Sequence, residues 1–312
     1  MLSSAGFYFP SPVGGLPLSN DLAPSGVFAA LYGCLAPLIL YRMISPRSRC
    51  IMLFPTATFA IMRYALPDLS LRASQATTPV DQKSIHIIVF LQCNYAAGYM
   101  SIDQTLLALL QCLLVSTTRG PSPIDGNQTA SSLQIVSGPD QYEDAPQRRK
   151  LYRRLCVIVT IMYYTAIGLG SAAGGLYLNI VSKYSIANAV QILRYISTGL
   201  SLGLLVTTFA AATHVLIISP RHKNAALFIL AITCLTTIPA IYRLVVMQFK
   251  TTEFQSTAPG SLNSGGSKAT FYIFHILPEL VGTMCLFSLN VRTLFETGAM
   301  GDFRRQKARS QT

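Results

Sequence analysis

Seven long, predominantly apolar runs dominate this 312-residue chain, over residues 22–43, 50–66, 84–116, 151–181, 186–219, 224–249 and 269–296. A helix needs about 20 apolar residues to cross a hydrocarbon core roughly 30 Å thick, and runs of about 17 to 25 fall within the usual range. The third and fifth would be about 50 Å long as helices, so they must tilt or project beyond the bilayer, yet neither can hold two spans and a turn. The expected fold is therefore all-α: a single membrane domain over residues 1–312 built as a bundle of seven transmembrane helices.

Composition agrees with lipid as the solvent. The chain is 51% hydrophobic and only 12% charged, with mean hydropathy +0.44, whereas a soluble domain carries about 25% charged residues. Too few charges are present to cover a wet surface of this size. The net charge of +12 would by itself suit nucleic acid. The basic residues instead form short clusters between apolar runs, where they act as topology signals against an anionic leaflet, so no nucleic-acid partner is expected.

Lys and Arg accumulate on cytoplasmic loops. With seven spans and the N-terminus outside, sixteen of the 24 basic residues lie on the cytoplasmic side, among them Arg42, Arg149, Arg221 and Arg292. Only Arg72, Lys83, Lys183, Lys250 and Lys268 lie outside, while Arg63, Arg194 and Arg243 lie within spans. Six or eight spans would scramble this segregation, so the C-terminus is placed in the cytoplasm. No basic n-region precedes the first run, whose helix is expected to insert and stay. Plasma membrane and endomembrane fit the pattern equally.

The segment 117–150 is rich in Ser, Pro, Gly, Asp and Gln and reads as a flexible cytoplasmic loop. Its sequon, Asn127-Gln128-Thr129, is therefore expected to stay unglycosylated. The outer loop 251–268 is similarly polar, and the basic tail 302–312 reads as an anchor on the leaflet surface. The seven cysteines show no metal or redox spacing and read as small packing residues. Small residues four apart, Gly170 with Gly174 and Gly199 with Gly203, favour close helix approach, within one chain or between protomers. Pro37, Pro55, Pro239 and Pro278 each permit a kink.

Ionisable groups are costly in lipid and mark functional candidates. These are Arg63, Asp103, Arg194, Arg243 and Glu279, with His86, His214 and His275. Counted from the helix ends, Arg63, Arg194, Arg243 and His275 fall in the outer third and the two carboxylates nearer the midplane. That arrangement suggests an outward-facing polar cavity in which arginines pair with carboxylates or grip an anionic lipid headgroup. The bland alternative is snorkelling to the headgroups, which position favours for Arg63 and leaves open for Arg194 and Arg243. Arg243 and Glu279 are expected to share one site.

Catalytic patterns are missing from the sequence. It contains no HExxH, no GxSxG and no P-loop, and its histidines lie at different depths, so neither an enzyme nor a bound cofactor or metal is expected. A retinal Schiff base is excluded because the last run contains no Lys; residues 269–296 hold none.

The residues Ile241-Tyr-Arg-Leu-Val245, then a polar loop, then Phe271-Tyr-Ile-Phe-His-Ile-Leu-Pro278 resemble the last two spans of the fungal RTA-like family of lipid-translocating exporters. Tyr8-Phe-Pro-Ser11 and Arg63 are similar to that family's pattern too. The resemblance implies seven spans, membrane lipids as partners and a lipid or amphiphilic toxicant as substrate. The chain departs from the pattern at Val246 and Met247, where a carboxylate is usual, at His275, where the family has Asp, and near 163–168, where an acidic residue is usual. The rival functions are a seven-helix receptor or sensor and a non-catalytic membrane organiser. Val115-Ser-Thr-Thr-Arg119 lacks the receptor class's acidic-Arg-aromatic triplet, and the last span lacks Asn-Pro-x-x-Tyr.

Overall fold

The computed structural model describes residues 6–64, 82–118, 145–258 and 260–301. Asn127, Arg72, most of the expected cytoplasmic loop and the basic tail lie outside the described residues. The main helices are α1 (Leu22–Ile44), α2 (Phe54–Tyr64), α3 (Gln82–Ser116), α4 (Pro146–Leu176), α5 (Tyr184–Ile218), α6 (Lys223–Val246) and α7 (Gly265–Ser288). A short α8 (Val291–Leu294) follows.

Six of these helices, all but α2 and α8, are long and apolar enough to cross a membrane. The run at 50–66 is the one that falls short among the described residues. It forms a 3-10 turn (Ile51–Leu53) and then the 11 residues of α2, which span about 16 Å. Residues 65–81 lie outside the described residues.

Consecutive long helices pack as neighbours, and α3 stands at the centre, touching α2, α4, α5, α6 and α7. In its most apolar stretch 83% is buried, against 11% for α1 and 22% for α4. The outer helices instead turn large apolar side chains outward, including Leu31 and Leu40 on α1, Ile158 and Ile161 on α4, and Ile196 and Val206 on α5. A belt of this extent is not tolerated in water and needs hydrocarbon around it.

The small-residue pairs part company. A Cβ on Gly170 would come within 2.8 Å of Ala96 and Ser197, and one on Gly174 within 2.7 Å of the Cys93 sulfur, so this pair packs α4 against the core of the same chain. Gly199 and Gly203 face open space. The prolines also divide. Pro37, Pro239 and Pro278 sit inside α1, α6 and α7, while Pro55 is the second residue of α2, where a missing N–H costs little. Pro278 offers no N–H to the carbonyl of Phe274, and the chain there widens into a π-turn over Tyr272–Ile276.

One end of the bundle is basic. There Arg42 donates to the carbonyls of Phe287 and Ser288 at 3.0 and 2.8 Å, Arg292 donates to the Pro46 carbonyl at 2.7 Å, and Arg221 lies 3.6 Å from Glu296. The other end is closed by the N-terminal segment, whose residues 9–17 are all buried. Strand β1 (Phe9–Pro10) pairs antiparallel with β2 (Lys250–Thr251). Gln92 of α3 clamps both the N–H and the carbonyl of Val13, at 3.0 and 3.1 Å. Gly14 and Gly15 adopt positive φ (75° and 63°), and a Cβ on Gly15 would meet Leu262 and Asn263 at 2.5 Å, so the segment turns back tightly there.

Candidate functional site

Two helix faces build the interior of the bundle beneath this N-terminal plug. Gln92, Tyr95, Tyr99 and Asp103 recur at three- and four-residue spacing and so share one face of α3. Lys268, Phe271, His275 and Glu279 do the same on α7. All eight are buried. Layer by layer downward, Gln92 and Lys268 hold the plug, Tyr95 and Phe271 meet edge to face at 5.0 Å between ring centroids, and His275 and Glu279 follow.

The central ion pair joins α2 to α7. Arg63 Nη2 donates to Glu279 Oε2 at 2.7 Å, with the two side chains 1% and 0% exposed. The guanidinium lies between the rings of Phe59 (4.8 Å) and Tyr95 (5.0 Å), gaining cation–π attraction on both sides. Arg63 therefore does not snorkel, because a carboxylate and two rings inside the bundle satisfy it better than its position in sequence implies. Arg243 and Glu279, expected to share one site, both lie in this buried interior, where the hydrogen-bonded ion-pair partner of Glu279 is Arg63.

Gly98 of α3 makes room for this pair. A Cβ there would fall 2.5 Å from Glu279 Oε1 and 2.8 Å from the Phe59 ring. Gly98→Ala is expected to cost about 1–3 kcal/mol through overpacking, measured as lowered thermal stability in detergent. Gly199→Ala, which meets nothing within 4 Å, is the control that keeps stability unchanged or raises it.

His275 is fully buried in an aromatic box, with Tyr242 stacked on it at 6.1 Å and 23°, Phe271 at 5.3 Å and Tyr95 at 5.7 Å. Among the described residues neither ring nitrogen has a hydrogen-bond partner, and Nδ1 is 3.9 Å from Glu279 Oε1. Arg243 on α6 is 2% exposed, with its guanidinium 6.0 Å from the Tyr99 ring centre. Its Nε and Nη1 have no hydrogen-bond partner. On α5, Arg194 is 3% exposed; its Nη1 donates to the Ser11 carbonyl (2.9 Å) and to the Tyr177 hydroxyl (2.6 Å), while Nε and Nη2 are unpartnered. Among the described residues no carboxylate pairs with either arginine.

The structure thus brings the six sequence candidates, Arg63, Asp103, Arg194, Arg243, His275 and Glu279, into one buried polar core. It does not open them outward. Each is at most 3% exposed, because the N-terminal segment folds back over that end, a contact that depth along each helix does not encode. A shallow cleft lined by Tyr8, Tyr184, Asn188, Gln191 and Lys250 lies at the same end, with Gln191 one turn before Arg194 on α5.

Sequence reasoning missed the ties of the plug. Lys268, counted there only as an outer-loop charge, is 2% exposed; it forms an ion pair with Asp21 and donates to the Leu16 carbonyl at 2.6 Å. The Tyr272 hydroxyl donates to Asp21 at 3.0 Å, and Asn263 accepts from the Leu16 N–H at 2.7 Å. One signal was available, since Asp21 is the first acidic residue of the chain and stands at the head of the first apolar run.

Among the described residues, no group of three or more His, Cys, Asp or Glu side chains could hold a metal ion. Six apolar crossing helices around a buried polar core define a multi-pass integral membrane protein. Comparison of the chain with models of known protein families, with characterised proteins and with solved structures finds no match.

Proposed function

We infer that this is a seven-span membrane protein, N-terminus outside, that binds and moves a lipid or other amphiphile whose anionic headgroup is held by Arg194 and Arg243. The observation carrying this reading is the pair of buried guanidiniums, each with two nitrogens that lack a hydrogen-bond partner among the described residues. An unpaired buried cation costs several kcal/mol. An oxyanion that accepts from both forks offsets that cost, and guanidinium geometry suits phosphate or carboxylate oxygens. The resemblance to lipid-translocating exporters supports the same class of substrate. Segregation of Arg42, Arg221 and Arg292 to the end opposite the plug supports the orientation. Entry of the headgroup then requires the segment over residues 9–17 to lift, with the cleft beside Gln191 as the approach.

The test uses full-length protein in nanodiscs with dodecyl phosphate as probe and a dodecyl trimethylammonium control. Dodecyl phosphate binds saturably and the cationic control does not. Arg194→Gln and Arg243→Gln each weaken binding about 10- to 100-fold, the range of a hydrogen bond to a charged group. Equal binding of both probes, or affinity unaltered in both variants, overturns the assignment. Labelled-lipid flux in proteoliposomes then distinguishes movement from binding.

A further inference from the structure

A second group of polar side chains lies one turn deeper on α3 than Tyr99. Asp103 is 1% exposed, and neither carboxylate oxygen has a hydrogen-bond partner among the described residues. No ion pair among them includes it. Helix packing brings hydroxyls from three other helices to its level. Gly170 of α4 lies so close to Ala96 of α3 that an added Cβ would stand 2.8 Å from it. About two turns further along each antiparallel helix (96 to 103, and 170 back to 163), Asp103 and Tyr163 reach one depth. Thr198 of α5 meets the Met247 sulfur, just past the end of α6, at 3.8 Å. About three turns on (198 to 208, and 247 back to 236), Thr208 and Thr236 reach one depth in the same way. Side chains close the group, with the Thr236 hydroxyl beside the Asp103 carboxylate and the Thr208 hydroxyl beside that of Tyr163. All four residues are buried.

The threonine protons are spent elsewhere. Thr236 donates to the Thr233 carbonyl at 3.3 Å and Thr208 to the Leu204 carbonyl at 3.0 Å, both within their own helices. What these hydroxyls have left to offer is oxygen lone pairs, beside a carboxylate that has only lone pairs itself when ionised. Such a set repels itself in a low-dielectric interior unless positive charge lies within it. Glu279, the next carboxylate in the core, has its counter-charge in Arg63 at 2.7 Å. Among the described residues no Lys or Arg side chain does the same for Asp103.

Charge and donor type select the ion. One carboxylate balances one positive charge, so a divalent ion would leave net charge buried, and no group of three or more His, Cys, Asp or Glu side chains stands among the described residues to hold one. The carboxylate and the hydroxyls of Tyr163, Thr208 and Thr236 are hard oxygen donors, which suit an alkali cation shedding its water. We propose that Asp103, with Tyr163, Thr208 and Thr236, forms a binding site for one sodium ion inside the bundle. The site does not depend on the arginine pair or on what that pair binds. Sodium there ties α3 to α4, α5 and α6, so its occupancy is read as stability of the folded chain.

The test is thermal unfolding of the full chain in detergent, in sodium chloride against choline chloride at equal ionic strength, with binding of radiolabelled sodium in parallel. Sodium raises the unfolding midpoint saturably, by about 3–8 °C, and binds at one ion per chain. Asp103→Asn abolishes both effects. Thr236→Val and Thr208→Val keep side-chain shape, remove one oxygen each and raise the half-saturating sodium concentration about tenfold. Ser201→Ala, whose hydroxyl donates to Tyr99 at 3.1 Å instead, leaves that concentration unchanged. Equal midpoints in the two salts with no labelled sodium bound overturn the site, as does a sodium effect retained in Asp103→Asn or unaltered in both threonine variants. An infrared carbonyl band of a protonated carboxylic acid that persists at neutral pH in saturating sodium, and is lost in Asp103→Asn, overturns it in favour of a proton. Dodecyl phosphate binding is measured separately, so failure here and failure of the arginine assignment are told apart.

Discussion

Replacing Arg63 or Glu279 singly with methionine lowers the stability of the detergent-solubilised protein by about 3–5 kcal/mol, while replacing both together costs much less than the sum. The reason lies in what each single change leaves behind. Arg63 and Glu279 are 1% and 0% exposed and meet at 2.7 Å, so removing either takes from the other a close, fully buried counter-charge beside Phe59, Tyr95 and His275. Removing both leaves apolar side chains of similar volume, for which burial is favourable. Denaturant titration of the four proteins gives the cycle directly. Additive losses would mean that the two groups act separately and that the ion pair does not organise the core.

The plug gives the second large effect. Lys268→Met leaves the Asp21 carboxylate buried without its cation, and Asp21→Asn does the converse; each is expected to cost about 3–5 kcal/mol locally. Lys268 also holds the Leu16 carbonyl, while Gln92 holds both backbone groups of Val13, so the loss falls on opening of the N-terminal segment rather than on the whole bundle. Hydrogen exchange reads this directly. Amides of the segment 9–17 are protected in the wild type and exchange about 100-fold faster or more in Lys268→Met, while α3 and α6 keep their protection. Uniform acceleration through the bundle would instead make the Lys268–Asp21 pair a general structural strut and remove the case for a separately opening plug.

The separately opening plug matters because residues 9–17 cover the polar core at this end of the bundle. Arg194 touches the plug through the Ser11 carbonyl, so lifting the segment frees one more donor on the arginine assigned to the headgroup. Opening and binding are then coupled through one guanidinium, without any pathway beyond direct contact.

Much of this molecule is legible from its residues in order. The apolar runs place α1 and α3 to α6 within about five residues, because a helix in lipid must satisfy its own backbone and must be about as long as the hydrocarbon is thick, whereas the last run, 269–296, overshoots the end of α7 at Ser288, where Leu289 turns extended. The ionisable residues within those runs identify the core, because lipid tolerates charge only where protein surrounds it. Partnership is less legible. Arg63 near the end of a short helix reads as a snorkelling residue, and only the approach of α7 supplies Glu279. His275, standing where a carboxylate is usual in the resembling family, becomes intelligible once Tyr242, Phe271 and Tyr95 enclose it.

By itself the sequence determined the solvent, the helical class, the segregation of basic residues and the small set of charges that must face inward, since each of these depends on the composition of a local segment. Tertiary structure alone decided which of those charges meet, that Gly98 makes room for the Glu279 carboxylate, and that residues 9–17 fold back over the core through Gln92, Asn263 and Lys268. Such contacts join residues up to 252 positions apart, and their energies depend on distance and on exclusion of water, neither of which is written in any one stretch of chain.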